Sequence, residues 1–321
     1  MSLRIVFMGT PEFAIASLKS LLQHGFNITT VVTSPDKPAG RGQKIQIPPV
    51  KKFAIDNCLI LLQPEKLKDS KFVSQLRSLQ ADLFVVVAFR MLPEEIWSMP
   101  RLGTINLHAS LLPQYRGAAP INWAIINGEE QTGVTTFFIG KEIDTGKILA
   151  NLSLSIKPAE TAGQLHDKLM EAGADLLVKT IKAIESGNIN PIDQNKIQVI
   201  ESKLKTAPKL TKENCRIDWS QESKTIFNLI RGLSPYPAAW SILQNIETGQ
   251  KTSVKIIEAE FTIDRPIGHP GIINSDGNSF LHVSTSNGII PIKVLQAEGK
   301  KMLHINDFLR GFRGIEKFNF I

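Results

Sequence analysis

Short, continuous apolar runs alternate with amphipathic stretches over the N-terminal part of the chain. The first run, Leu3-Arg4-Ile5-Val6-Phe7-Met8, reads as a strand ending at Gly9. Pro11 to Gln23 then carries apolar residues at helical spacing. Thr10 is expected to cap that helix, with Pro11 at its first position and Glu12 at its positive end. Asn27 to Thr33 is a second strand, so the chain opens as a βαβ unit and a parallel sheet is expected. The alternation continues with a helix at Val50 to Asn57, a strand at Leu59 to Leu62 and a helix at Lys71 to Gln80. Asp82 to Phe89 is the most hydrophobic run. A strand buried on both faces needs such a run, so it is placed near the middle of the sheet. After a short helix at Pro93 to Ser98 come the strand around Asn106 and a helix opening at Gly117-Ala118-Ala119-Pro120. A strand at Gly133 to Ile139, another at Ile148 to Ser155 and a long helix at Ala162 to Glu185 complete this part.

Beyond Lys212 the pattern changes. One helix is expected at Gln221 to Arg231, capped by Ser220 and closed by Gly232. The rest is short strands separated by turn pairs such as Asp276-Gly277 and Asn287-Gly288, the signature of a small antiparallel barrel or sandwich. The expected architecture is therefore α/β: a Rossmann-like, mostly parallel sheet over residues 1–206 and an antiparallel, OB-like β-barrel over 207–321. The first strand-to-helix turn lacks G-x-G-x-x-G, so no dinucleotide fingerprint is present.

One segment does not fit the alternation. Ser34 to Pro49 contains Pro35, Pro38, Gly40, Gly42, Pro48 and Pro49, which exclude a helix. A loop this long inside a domain is expected to serve a function. It is also basic: Ser34 to Lys52 holds Lys37, Arg41, Lys44, Lys51 and Lys52 against Asp36. Lys196 to Lys212 holds Lys196, Lys203, Lys205, Lys209 and Lys212 against Glu201, and Gly299 to Lys317 is a third basic stretch. These three carry more than the whole of the chain's net charge of +7, which points to a polyanionic partner.

Composition bounds the rest. At 321 residues the chain exceeds one ordinary core, and no apolar run approaches the roughly 18 residues of a membrane helix. The chain opens directly on a strand, so no signal peptide is expected. Cys58 and Cys215 have no metal-ligand spacing, which suits a reducing cytoplasm.

The candidate chemistry begins at Thr104-Ile105-Asn106-Leu107-His108. Side chains alternate along a strand, so Asn106 and His108 share a face while Ile105 and Leu107 anchor in the core. Open parallel sheets bind ligands at their carboxyl edge, where this pair falls. An amide can donate to a developing oxyanion, and an imidazole can move a proton near neutral pH. Ser110-Leu111-Leu112-Pro113 follows as a stiffened loop offering backbone groups. Asp144 ends the next strand segment in Asp144-Thr145-Gly146. That triplet also marks aspartic proteases, but those need two copies and an all-β chain. Asn, His and Asp at neighbouring strand ends suit attack on a carbonyl carbon, with Asp144 orienting His108. Without a Ser or Cys in a nucleophile elbow, a substrate amine is the expected attacking group.

Taken together, Asn106-x-His108, the run Ser110-Leu111-Leu112-Pro113-x-Tyr115-Arg116-Gly117-Ala118-Ala119-Pro120 and Asp144-x-Gly146 resemble the folate-dependent formyltransferases. The resemblance implies 10-formyltetrahydrofolate as formyl donor, no metal, and Asn106, His108 and Asp144 as catalytic residues. It implies Ser110, Leu111, Leu112 and Pro113 lining the folate pocket, bordered by Phe89 and Arg90. The basic insertion and Lys209-Leu210-Thr211-Lys212…Arg216-Ile217-Asp218-Trp219 are similar to the branch of that family acting on the amino group of methionyl initiator tRNA. That likeness implies tRNA contacts at Arg41 and Lys44, and with the basic junction also at Lys203, Lys205 and Lys209. The C-terminal barrel is expected to help hold the tRNA. A monomer in the bacterial cytoplasm, without membrane or obligatory protein partner, is expected. The chain departs from the family in two places: Phe89-Arg90 stands where Tyr-Gly is usual, and Lys147 where an acid is common. The competing readings are a formyltransferase for a small amine such as an amino-sugar nucleotide, a hydrolase of the formyl donor, and a nucleic-acid-binding module without activity.

Overall fold

The apolar runs of the N-terminal part become neighbours in one seven-stranded sheet. The computed structural model describes residues 2–39, 44–197 and 203–321, with the backbone alone for Ala39 and Lys44. The chain divides into two compact units. The first comprises Met1–Gly117, Gln131–Ser155 and His166–Thr206; the second comprises Ala118–Glu130, Ile156–Leu165 and Ala207–Ile321.

Up to the carboxyl edge of the sheet the elements are β1 (Arg4–Gly9), α1 (Glu12–Gln23), β2 (Asn27–Val32), β3 (Lys37–Ala39), β4 (Lys44–Gln46), α2 (Pro49–Asp56), β5 (Leu61–Leu62), α3 (Ser70–Ser78), β6 (Leu83–Val87), α4 (Glu94–Trp97), β7 (Thr104–His108) and β8 (Arg116–Gly117). There follow α5 (Pro120–Ile126), β9 (Gln131–Phe138), β10 (Ile148–Ser155), α6 (Ala162–Glu185) and β11 (Thr206–Ala207). The sheet runs β10-β9-β7-β6-β1-β2-β5. From β7 to β5 neighbours are parallel, while β9 is antiparallel to β7 and β10 to β9. β6 is central and every one of its residues is buried, as its unbroken apolar run requires. One face packs Val6, Met8, Phe84 and Val86 against Phe72, Val73 and Leu76 of α3 and Ile96 of α4.

The cap of α1 differs from expectation. Pro11 holds the cap position, where its ring can accept no hydrogen bond, and the Thr10 hydroxyl is engaged with the Ser34 hydroxyl at 3.1 Å. The described residues of the basic insertion are not without structure. Its arms β3 and β4 pair in antiparallel register, Lys37 opposite Gln46 and Pro38 opposite Ile45. At the base of this hairpin, Asp36 accepts from Lys51 Nζ at 2.6 Å and from Gln63 Nε2 at 3.0 Å.

In the second unit α7 (Ser223–Leu233), β12 (Ala239–Asn245), β13 (Lys251–Ala259), β14 (Ile273–Ser275), β15 (Leu281–Ser284), β16 (Ile289–Ala297), β17 (Leu303–His304), α8 (Ile305–Gly311) and β18 (Phe318–Phe320) follow in order. The antiparallel sheet runs β14-β15-β16-β13-β12-β18, with β17 on β16. A bridge between Ile272 and Asn319 brings its two ends toward closure, so the unit is barrel-like. Its core joins Trp219, Ile226, Ile230, Val254, Ile256, Ile290 and Phe308.

Ser220 does not cap α7. It donates to Asp218 from its backbone and hydroxyl, and the helix starts at Ser223 behind Glu222. Gly232 lies within the last turn instead of closing the helix. A Cβ there would meet Ile126 at 2.6 Å and the Asn122 carbonyl at 3.2 Å, so its role is close approach to α5. That contact, with Asn122 Nδ2 donating to the Gly232 carbonyl at 2.8 Å, is why α5 groups with the second unit.

Candidate active site

β7 delivers two polar side chains at the carboxyl edge of the parallel strands. Asn106 is half-buried between Val86 of β6 and Phe137 of β9. Its amide has no hydrogen-bond partner among the described residues, so both its donor and its acceptor are available. His108 is buried at 7% side-chain exposure, edge-on to Phe137. Its Nε2 lies 2.8 Å from the Tyr115 carbonyl. A carbonyl can only accept, so Nε2 donates and carries a proton. In the neutral ring, Nδ1 is then left with its lone pair. Asp144 Oδ2 faces that Nδ1 at 3.7 Å, with the Asp144 side chain 12% exposed. The same oxygen accepts from the backbone N–H of Gly117 at 2.9 Å.

Asp144 reaches His108 by an unexpected route. β9 is antiparallel to β7, so its carboxyl end lies beside Ile105, not beside His108. Asp144 comes instead from the β9–β10 connection. That connection closes tightly at Gly146, where a Cβ would stand 1.7 Å from the Phe138 carbonyl oxygen. Asp144 itself adopts a left-handed backbone, φ 55°, and so does Tyr115, φ 59°. Non-glycine residues in this region are uncommon and cost on the order of 1–3 kcal/mol, and they collect where a side chain or carbonyl must be aimed. Here one aims a carboxylate and the other a carbonyl at opposite nitrogens of a single imidazole.

The 110–113 loop is more tightly bound than expected. Thr135, fully buried on β9, donates its hydroxyl to the Ser110 carbonyl at 2.6 Å and accepts from Leu112 N–H at 3.2 Å. The Ser110 hydroxyl donates to the Gln114 carbonyl. The Leu111 carbonyl accepts from Gln114 N–H. Ser110, Leu112 and Pro113 are buried, and Leu112 packs with Phe137 and Ile148. Several backbone groups of the loop are therefore already engaged, and Leu111 is its least buried side chain.

After β6, Ala88 has φ 47° and leads into Phe89 and Arg90, both half-buried. The Arg90 guanidinium stacks on Phe89, and its terminal nitrogens donate to the carbonyls of Pro64 and Glu65. Burial lowers its pKa, and its Nε is a buried donor with no partner among the described residues. The second departure, Lys147, is exposed, and its carbonyl accepts from Phe138 N–H.

Of the basic candidates, Arg41 lies outside the described residues and Lys44 contributes backbone pairing in β4. Lys203, Lys205 and Lys209 are exposed. The backbone of 203–205 runs beside the site: Tyr115 N–H donates to the Lys205 carbonyl, and the Gln114 amide bonds Lys203 and Lys205. Among the described residues no group of three His, Cys, Asp or Glu side chains is placed to hold a metal, and no helix is long and apolar enough to cross a membrane. Thr135 and Gln194, which hold the site together, carry no local signal in the sequence; Tyr115 stood in the quoted motif without a role.

Residues 3–181 match the formyl transferase family and residues 209–313 its C-terminal domain family. The chain is 53% identical over 316 residues to the methionyl-tRNA formyltransferase of Bacteroides fragilis, covering 98% of this chain and 97% of that one. It is 51% identical over 309 residues to that of Flavobacterium johnsoniae, covering 96% of each. Among solved structures, the N-formyltransferase of Helicobacter canadensis, in complex with folinic acid and dTDP-3-aminofucose, superposes with a TM-score of 0.64 at 21% identity, covering 90% of this chain and 98% of that chain. HypX of Aquifex aeolicus, in complex with tetrahydrofolic acid, gives 0.64 at 19% identity, over 98% of this chain and 48% of its own. These two are evidence of shared fold alone. With both family domains matched and half of the residues identical end to end, the chain belongs to the methionyl-tRNA formyltransferases of the formyl transferase family.

Proposed function

We propose that this enzyme transfers the formyl group of 10-formyltetrahydrofolate to the amino group of methionyl initiator tRNA, with Asn106, His108 and Asp144 as its catalytic residues. The single observation that carries the mechanism is the imidazole of His108, held by the Tyr115 carbonyl on one side and faced by Asp144 on the other. As the amine attacks the formyl carbon, negative charge develops on the formyl oxygen. Asn106 has an uncommitted amide N–H on the same strand face to meet it. The amine must shed a proton. His108 Nδ1 takes it, and the Asp144 carboxylate stabilises the resulting imidazolium. The proton then passes to the departing nitrogen of the folate.

The residues suit a folate. The orphaned Arg90 Nε is a buried donor that an acceptor on a pterin would satisfy. Ser110 to Pro113 supply a wall that is rigid before the donor arrives, which lowers the ordering cost of binding. For the acceptor, 53% identity to a methionyl-tRNA formyltransferase outweighs 21% identity to a structure bearing an amino sugar. The exposed Lys203, Lys205 and Lys209, with Arg41 and Lys44 of the insertion, would supply phosphate contacts. The residues of the C-terminal barrel would hold the body of the tRNA. Function as a monomer in the bacterial cytoplasm follows from the same reading.

Single-turnover transfer with wild type and His108→Ala, at saturating donor and methionyl-tRNA, tests the proposal. Wild type should yield formylmethionyl-tRNA, and the variant should be slower by about 10²- to 10⁴-fold. Wild-type rates in His108→Ala would remove the imidazole from the chemistry.

A further inference from the structure

We infer that Gln194 is a positioning residue for the catalytic carboxylate, acting through the backbone of the Asp144 connection; the inference rests on the function proposed above. Gln194 opens a short 3-10 turn in the tail after α6 and is 3% exposed. Asp193 caps this turn through Asn195 N–H. Just before it, Ile192 and Ile148 exchange backbone hydrogen bonds at 2.8 Å each, which pins the tail to the start of β10. From that fixed seat the Gln194 amide donates to two carbonyls of the same connection, Asp144 O at 2.9 Å and Gly146 O at 2.7 Å. Its Oε1 accepts from Arg116 Nε at 3.1 Å and Nη2 at 2.6 Å.

These contacts form a ring. Gly117, next to Arg116 in the chain, donates its N–H to Asp144 Oδ2. The path runs from the Asp144 carboxylate to Gly117, through Arg116 to Gln194, and back to the Asp144 carbonyl. Asp144 is thus held at both its side chain and its backbone, in a left-handed conformation, φ 55°, that is uncommon outside glycine. A single buried amide ties the two segments that aim the carboxylate at His108. Gln suits the position because it offers both a donor and an acceptor. A glutamate would keep the bond to Arg116 but would turn a second negative oxygen toward two carbonyls.

Gln194 touches neither the imidazole nor any reacting atom, so its removal should lower kcat and leave binding alone. A displacement of about 1 Å at a catalytic group can cost on the order of 100-fold in rate. The experiment measures kcat and both Michaelis constants for wild type, Gln194→Ala, Gln194→Glu, Asp144→Asn and the double variant Gln194→Ala/Asp144→Asn, with thermal melts to confirm folding. We expect Gln194→Ala and Gln194→Glu each to lose about 10-fold or more in kcat. The Michaelis constants for 10-formyltetrahydrofolate and methionyl-tRNA should stay within about twofold. In the double variant the glutamine has no carboxylate left to aim, so its rate should match Asp144→Asn within about twofold. Gln194→Glu keeps the Arg116 bond and gives a folded comparison if Gln194→Ala melts. Full kcat in Gln194→Glu, or losses that multiply in the double variant, would overturn the inference. If Asp144→Asn is slow while both Gln194 variants run at wild-type rate, only the positioning role falls. If Asp144→Asn itself runs at wild-type rate, the catalytic reading of Asp144 falls and takes this inference with it.

Discussion

A strand alternates its side chains, and that alone puts Asn106 and His108 on one face, so this half of the site is legible in five consecutive residues. Asn106→Ala should slow transfer by roughly 10²- to 10³-fold through loss of an oxyanion donor. Asp144→Asn preserves shape and removes charge, and it should lower turnover strongly with donor binding little changed. Steady-state kinetics at saturating substrates with a separate folate titration checks both; normal turnover in either variant would remove that residue from the mechanism. The pairing of Asp144 with His108 is expected from the sequence, but its route is not. Antiparallel β9 ends beside Ile105, so Asp144 reaches His108 from within the β9–β10 connection and not from a strand end. Gln194 was invisible for a related reason. Nothing in the polar tail from Asn188 to Lys196 marks one amide out, and its partners Arg116 and Asp144 are 78 and 50 residues away.

At the scale of elements, continuous apolar runs located the strands, because a parallel strand covered on both faces has no polar side. Local end signals were less dependable. Thr10 and Ser220 look like helix caps, yet each hydroxyl is engaged by a neighbour, Ser34 and Asp218 respectively. Two elements carry tests. Thr135 clamps the 110–113 loop to β9, so Thr135→Val keeps the shape and strands a buried carbonyl and a buried N–H. It should cost about 1–3 kcal/mol in urea unfolding and raise the Michaelis constant for the formyl donor. Unchanged stability and donor binding would show that the clamp is unimportant. At the base of the β3–β4 hairpin, the hydrogen bond from Lys51, then that from Gln63, holds the Asp36 carboxyl below its ordinary value. Its folded pKa lies below its unfolded one. The contact therefore contributes stability above the unfolded value, near 4 for an aspartate, and loses it as pH falls through the folded value. An NMR titration of the Asp36 carboxyl carbon should give a midpoint below that of a free aspartate, and Lys51→Ala should move it upward. A midpoint at or above the free value would contradict the pairing.

For the whole molecule, composition bounded the problem: 321 residues, a net charge of +7 and basic stretches clustered in loops. It did not reveal that Ala118–Glu130 and Ile156–Leu165 group with the C-terminal unit, because the hydrogen bonds from Asn122 to Gly232 and from Gly163 to Ser234 join segments far apart in sequence. If the basic residues hold tRNA phosphates, binding must release counterions and weaken with salt, with a logarithmic slope of about −0.9 per phosphate on a duplex. Arg41→Ala should raise the Michaelis constant for methionyl-tRNA or lower its turnover, without affecting folate binding. The triple Lys203, Lys205 and Lys209 alanine variant should show a shallower slope. Salt-independent affinity, unchanged in both variants, would favour a small acceptor. The most direct measurement follows labelled formyl from 10-formyltetrahydrofolate in parallel reactions with methionyl-tRNA, uncharged tRNA and an amino-sugar nucleotide. The account predicts label on methionyl-tRNA, recovered as N-formylmethionine after deacylation, and none on the other two. Label on the amino sugar at a comparable rate, or free formate as the only product with methionyl-tRNA present, would contradict it.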